Sequence, residues 1–151
     1  MNETHVRHWG AATLGAAGLV GIALIHFLDL FDKFEETPYL GVLYVFLIVG
    51  SLVTAGTLLH RPSLLAWRLT AFLAGSAFLG YVLSRTTGLP SATDDIGNWL
   101  EALGLASLFI EGGTFVLAFY GMWIARTAPI ASPGPVSSSE PPTIRARHLS
   151  H

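Results

Sequence analysis

The sequence predicts an all-α polytopic membrane protein: an antiparallel four-helix transmembrane bundle followed by a disordered C-terminal tail. Four apolar runs, at about residues 9–31, 39–59, 64–83 and 103–124, are each long enough to cross a hydrocarbon layer about 30 Å thick. Charged residues make up 12% of the chain, against about 25% in soluble domains. The connections between runs are short. Residues 1–126 therefore form one membrane domain, with no room for a separate soluble one.

The first run follows a polar start holding Glu3, His5, Arg7 and His8. It is longer than the apolar core of a signal peptide, and no small-x-small cleavage pattern follows it. It is expected to be an uncleaved first helix. Its first half carries Gly10, Ala11, Ala12, Gly15, Ala16, Gly18 and Gly21, residues that let membrane helices approach closely. Near its end His26 and Asp29 are three apart and share a face.

A short acidic connection, residues 32–37, leads to the second helix. Thr37 suits the N-cap, and Pro38 suits the first helical position, where a missing donor is harmless. Gly50, Ser51, Thr54 and Leu58 give this helix a mildly polar inner stripe, and His60-Arg61-Pro62 ends it. In the third helix Trp67 and Arg68 are expected as an interfacial anchor and a snorkelling cation. Ser76 and Gly80 form a small-xxx-small pair, and Tyr81 and Arg85 are four apart at the far end. The longest connection follows, with Asp94 and Asp95 inside it. Trp99 and Glu101 lie at the entry to the fourth helix.

The fourth run carries a carboxylate in its middle. Gly104, Ser107, Glu111, Thr114 and Ala118 fall within one narrow helical arc, while Leu105, Phe109, Val116 and Phe119 lie opposite. A charge at membrane depth costs about 3 kcal/mol on insertion scales, so Glu111 is expected to face the interior. Residues 127–151, rich in Pro and Ser with Arg145 and Arg147 near the end, read as a disordered cytoplasmic tail.

Arg7, Arg61, Arg68, Arg126, Arg145 and Arg147 collect on one side of this topology, and Lys33 and Arg85 on the other. The bias places the first side, with both termini, in the cytoplasm. The outer face then gathers Asp32, Glu35, Glu36, Asp94, Asp95 and Glu101. Of these, Glu36, Asp94 and Asp95, with Arg85, are candidates for an electrostatic surface that attracts cations or a basic partner.

The stretches Thr37-Pro38-Tyr39-Leu40-Gly41-Val42-Leu43-Tyr44 and Gly80-Tyr81-Val82-Leu83-Ser84-Arg85-Thr86-Thr87-Gly88-Leu89-Pro90 carry a resemblance. So do a histidine in the first helix and the Leu108 to Gly112 turn of the fourth. Over roughly residues 10–125 the chain resembles a group of small four-helix integral membrane proteins of actinobacteria. The resemblance implies this topology and a bacterial plasma membrane. It implies no activity.

Three functional readings fit the residues. The first, preferred on the sequence, is an accessory or scaffold subunit of a membrane complex, because four helices make a narrow bundle. Its partners would be the lipid bilayer and another membrane protein or a second copy of the chain. The second is a proton- or cation-handling transport protein, with His26, Asp29, Glu101 and Glu111 as its polar groups. The third is an intramembrane metal protein or metalloenzyme holding a divalent ion with His26 and Glu111. No cofactor is expected, and His26 alone is read first as a packed, hydrogen-bonded histidine. A dry core with Glu111 capped by one neighbour would favour the scaffold. A hydrated cavity from Glu111 to the outer loops would favour transport, and three or more ligand atoms around one point would favour metal.

Other chemistries fall away. The net charge of -2 and the lack of a basic patch argue against a nucleic-acid partner. With no cysteine there is no disulfide, thiolate site or thiol redox chemistry in the chain. No Glu-x-x-His pair marks a di-iron bundle. His26 and His60 fall near opposite membrane faces and cannot share a haem iron. The serines at 51, 76, 84 and 107 lack a nucleophile elbow.

Overall fold

A computed structural model describes residues 3–127 of the chain. The expected cytoplasmic tail, apart from Thr127, lies outside the described residues. The described residues form five helices: α1 (Glu3–Leu28), α2 (Leu30–Glu36), α3 (Pro38–His60), α4 (Leu64–Thr86) and α5 (Ala102–Thr127). Four are long and apolar enough to cross a membrane, over Val6–Leu28, Pro38–His60, Leu64–Thr86 and Ala102–Thr127. No strand forms among the described residues; Leu89 and Ala92 make one isolated bridge.

The first helix differs from the expected 9–31. It ends at Leu28, and the expected acidic connection is itself helical as α2. Asp29 sits between them near αR geometry (φ -93°, ψ -3°). Its amide still bonds the Ile25 carbonyl at 3.3 Å, and its own carbonyl accepts from the Lys33 amide at 3.1 Å. The chain thus keeps its helical course with one disturbed residue. Acidic composition suggested a loop here. Yet residues 30–36 contain no Gly or Pro, and a Lys33–Glu36 pair at 2.7 Å spans one turn.

Thr37 occupies the N-cap of α3 and Pro38 its first turn, as expected, but the Thr37 side chain makes no capping bond. The cap with a side-chain bond is Ser63, whose Oγ accepts from the Ala66 amide at 3.2 Å at the start of α4. Helices α4 and α5 run past their expected ends, to Thr86 and Thr127.

Packing is unequal around the assembly. α1 lies mainly against α3, α4 against α5, and α1 against α5; α3 and α4 touch far less. The small-residue face of α1 meets α5. A Cβ on Gly18 would collide with Thr114, and one on Gly21 would approach Ile110 Cγ2 to 3.2 Å.

Trp67 overturns an expectation. It is not an interfacial anchor but is 3% exposed, inside a core with Leu19, Leu58, Ala118 and Met122. The reason is glycine on the facing helices. A Cβ on Gly15 would lie 2.8 Å from Trp67 Cζ3, and one on Gly121 would overlap the indole. Both residues leave a slot that the ring fills. Arg68, beside it, is exposed as expected.

Gly121→Val should therefore force the indole to move, at a cost of about 1–3 kcal/mol typical of overpacking. A lower thermal midpoint in detergent is the expected result. Gly56→Val, at an exposed position with nothing within 4 Å of the added Cβ, serves as the unaffected control.

Candidate functional site

The half of the molecule away from Trp67 is not filled. There a cavity of about 700 Å³ runs from Glu111 to the end carrying α2 and residues 87–101. Its depth follows from the α1–α2–α3 turn. Tyr39 and Lys33 lie close to the turn at Thr37, Asp29 and Tyr44 about two helical turns below it, and His26 deeper still.

The floor is built on α5. Gly104, Ser107, Glu111, Thr114 and Ala118 are all buried, and Leu105, Phe109, Val116 and Phe119 are all exposed, as their arc predicted. Glu111 is 1% exposed. One turn before it, Ser107 Oγ donates to Glu111 Oε1 at 2.5 Å. The second carboxylate oxygen, Oε2, is buried without a hydrogen-bond partner. An unpartnered carboxylate oxygen in such a place is costly, so this atom favours a hydrogen-bond donor or a positive charge beside it.

His26 meets Glu111 across the helix interface, with Nε2 3.7 Å from Oε1. Its other nitrogen, Nδ1, is 2.9 Å from the Ile22 carbonyl. A carbonyl only accepts, so Nδ1 carries the hydrogen and a neutral ring turns its Nε2 lone pair toward Glu111. The spacing is in ion-pair range and too long for a direct hydrogen bond. A proton or small cation thus has two adjacent basic atoms here.

Of the two partners a packed, hydrogen-bonded His26 could take, Asp29 or a backbone carbonyl, it takes the carbonyl. The histidine ring folds back on its own helix, and Asp29 Oδ2 accepts instead from the Tyr44 hydroxyl at 3.3 Å. The Tyr44 ring stands edge-on to His26, with centroids 4.6 Å apart. Tyr44 was not singled out in the sequence, where it reads as one more aromatic in an apolar helix. Its signal was a hydroxyl six residues inside the run, where nothing else is polar until Ser51. Burial is the largest influence on Asp29 and pushes its carboxyl above the ordinary value of 3.8, against the opposing charge of Lys33 and the Tyr44 bond.

Higher up, the cavity wall is an ionic cluster. Arg85 was expected to belong to an outer electrostatic surface. It is instead 6% exposed and bonds Asp95 Oδ1 through Nη1 and Glu101 Oε2 through Nη2, each at 2.5 Å. Its guanidinium also lies 5.0 Å from the Tyr81 ring centroid. The Arg85 carbonyl accepts from the Gly97 amide at 2.9 Å. Tyr39 donates to the Pro90 carbonyl at 2.6 Å. These bonds tie residues 87–101 down beside the cavity. Lys33 reaches both Glu36, at 2.7 Å, and Asp95, at 3.7 Å. Burial works to lower the Lys33 pKa, but the Glu36 bond and the charges of Asp29 and Asp95 outweigh it and hold it above 10.5.

The candidates from the sequence therefore separate. His26, Asp29, Glu36, Arg85, Asp95, Glu101 and Glu111 all line the cavity. Asp94 is exposed and lies outside it. Among the described residues, no group of three or more His, Asp or Glu side chains gathers closely enough to hold a metal ion.

The ionic cluster carries an asymmetry. Without Arg85, two partly exposed carboxylates regain water. Without both carboxylates, a buried guanidinium loses its counter-charges. Asp95→Asn combined with Glu101→Gln should cost about 3–5 kcal/mol, and Arg85→Met less. Thermal midpoints of the two variants in detergent check that order.

Comparison with known protein families, characterised proteins and solved structures finds no match to this chain.

Proposed function

We propose that this chain is an antiparallel four-helix bundle in a bacterial plasma membrane, with both termini cytoplasmic, that handles protons or cations at Glu111 and His26. The Lys/Arg bias supports the orientation. The antiparallel course is supported by contacts at matching levels: Arg7 to Tyr120, His26 to Glu111, and Arg85 to Glu101. In this orientation the cavity opens outward.

The observation that carries the reading is the continuity of that cavity from Glu111 to the acidic end. A scaffold subunit was expected to have a dry core with Glu111 capped by one neighbour. Glu111 does have its single capping hydroxyl, but it also lines the cavity, and its second oxygen is buried without a partner. The lipid-facing side chains would serve a scaffold and a transporter equally, so they do not separate the two. The metal reading gains no donor set among the described residues.

The chemistry follows from the geometry. A proton or cation enters past Asp29 and the Arg85 cluster, drawn by the acidic lining. At the floor it neutralises Glu111 or is shared with His26 Nε2. On the other side of Glu111 the packing around Trp67 closes the path, so release toward the cytoplasm requires that plug to shift.

Proteoliposomes test the role of Glu111. Glu111→Gln should reduce proton or cation flux at least tenfold, and unchanged flux would remove the residue from the mechanism. Orientation has its own test, made simple by the absence of cysteine. A cysteine at Thr93 should react with a membrane-impermeant maleimide on intact cells, and one at Ser63 should not.

A further inference from the structure

The cavity is far larger than a proton or a bare metal ion needs. About 700 Å³ is the size of a pocket for an organic molecule. Its two walls differ in chemistry. One wall carries Asp29 and Glu111, while Lys33 and Arg85 are already engaged by Glu36, Asp95 and Glu101. Toward the middle of α3 and α4 the lining is largely apolar, with Leu43, Phe46 and Leu47 on α3, and Phe72, Leu73 and Ala77 on α4 beside Ser76.

That apolar wall is also the thin seam of the fold, since α3 and α4 touch far less than the other neighbouring pairs. Phe46 and Phe72 line the cavity yet remain 71% and 69% exposed. They stand at the edge of a lateral opening. In the bilayer this opening faces lipid tails, not water. A ligand taking that route must be apolar enough to partition into the membrane.

What it meets inside is negative and unfinished. The lining acids Asp29, Asp32, Glu36, Asp95, Glu101 and Glu111 outnumber Lys33 and Arg85. Glu111 Oε2, in a residue 1% exposed, is the unpartnered atom at the floor. The rings of Tyr44 and His26 stand beside it and suit a diffuse positive charge.

We infer that the cavity binds a lipophilic organic cation, which enters between α3 and α4 and places its charge against Glu111. The inference rests on the cation-handling reading and narrows it to one substrate class. The body of the ligand lies against Phe46 and Phe72. A neutral molecule of the same shape would leave Glu111 without a counter-charge, and an anion would be repelled.

Binding of radiolabelled tetraphenylphosphonium to the purified full chain in nanodiscs tests this. Saturable binding is expected, with neutral triphenylphosphine unable to displace it. Glu111→Gln should weaken affinity at least tenfold, and Glu111→Asp, which keeps the charge, should retain most of it. Ala77→Trp should block the seam and slow association at least tenfold, while Gly56→Trp, on an exposed helix face, should not. Circular dichroism and gel filtration confirm that each variant is folded. Absent binding, equal displacement by the neutral compound, or indifference to Glu111→Gln overturns the inference. Glu111-dependent proton flux without phosphonium binding would also overturn it while leaving the proton-handling reading intact. Glu111-dependent binding without any flux would keep the inference and remove transport.

Discussion

A carboxylate in the middle of a helix apolar enough to cross a membrane must turn toward other protein. That constraint on Glu111 orders the rest of α5. Once Glu111 faces inward, Gly104, Ser107, Thr114 and Ala118 face inward with it, and the large apolar residues face out. The inward face is narrow and small. Neighbouring helices can therefore come close, which is how Gly18 of α1 comes against Thr114 and how His26 comes within 3.7 Å of Glu111.

The same face divides the molecule into two unlike halves. On one side of Glu111, glycines at 15 and 121 make a slot for Trp67, and the core is apolar and closely packed. On the other side the helices are held apart by aromatic and charged side chains, and a cavity remains. Tyr81 shows how the separation is kept: its ring packs where a Cβ on Gly104 would sit, while its face supports Arg85. Arg85 in turn fastens Asp95 and Glu101, so the longest connection of the chain is bound to the helix ends. The buried cation thus has a positional role, holding open a space that apolar packing alone would tend to close.

Much of this could be read from the sequence because helices long and apolar enough to cross a membrane have so restricted a composition. The four long helices, the inward arc of α5 and the polar stripe of α3 all followed from runs and periodicity. The misreadings have a common cause, which is that composition was taken to indicate position. Trp67 near a helix start resembled an interfacial anchor, but its place was decided by glycines on two other helices, far away in sequence. Residues 32–36 looked like a loop because they are acidic, though nothing in them breaks a helix. His26 is packed and bonded to a backbone carbonyl, as one of its readings had it, but the Tyr44 hydroxyl that meets Asp29 was hidden in an apolar helix. Partners across helices are set by register between elements, and a single sequence does not carry that register.

Unequal packing also decides how such a molecule can move. The α1–α3 and α4–α5 pairs are extensively packed, and α1–α5 joins them through close small-residue contacts. The α3–α4 contact is the weakest link in that ring. Separating two surfaces costs free energy in proportion to the contacts they lose, so widening the cavity at α3–α4 disturbs the fold least. That seam lies beside the apolar wall and across from Glu111. Opening the closely packed half is different in kind, because it must displace an indole fitted into glycine slots on two helices. The two halves are therefore unequal in what it costs to open them: the α3–α4 side needs a separation of loosely joined helices, and the Trp67 side needs a repacking of the best-fitted part of the core.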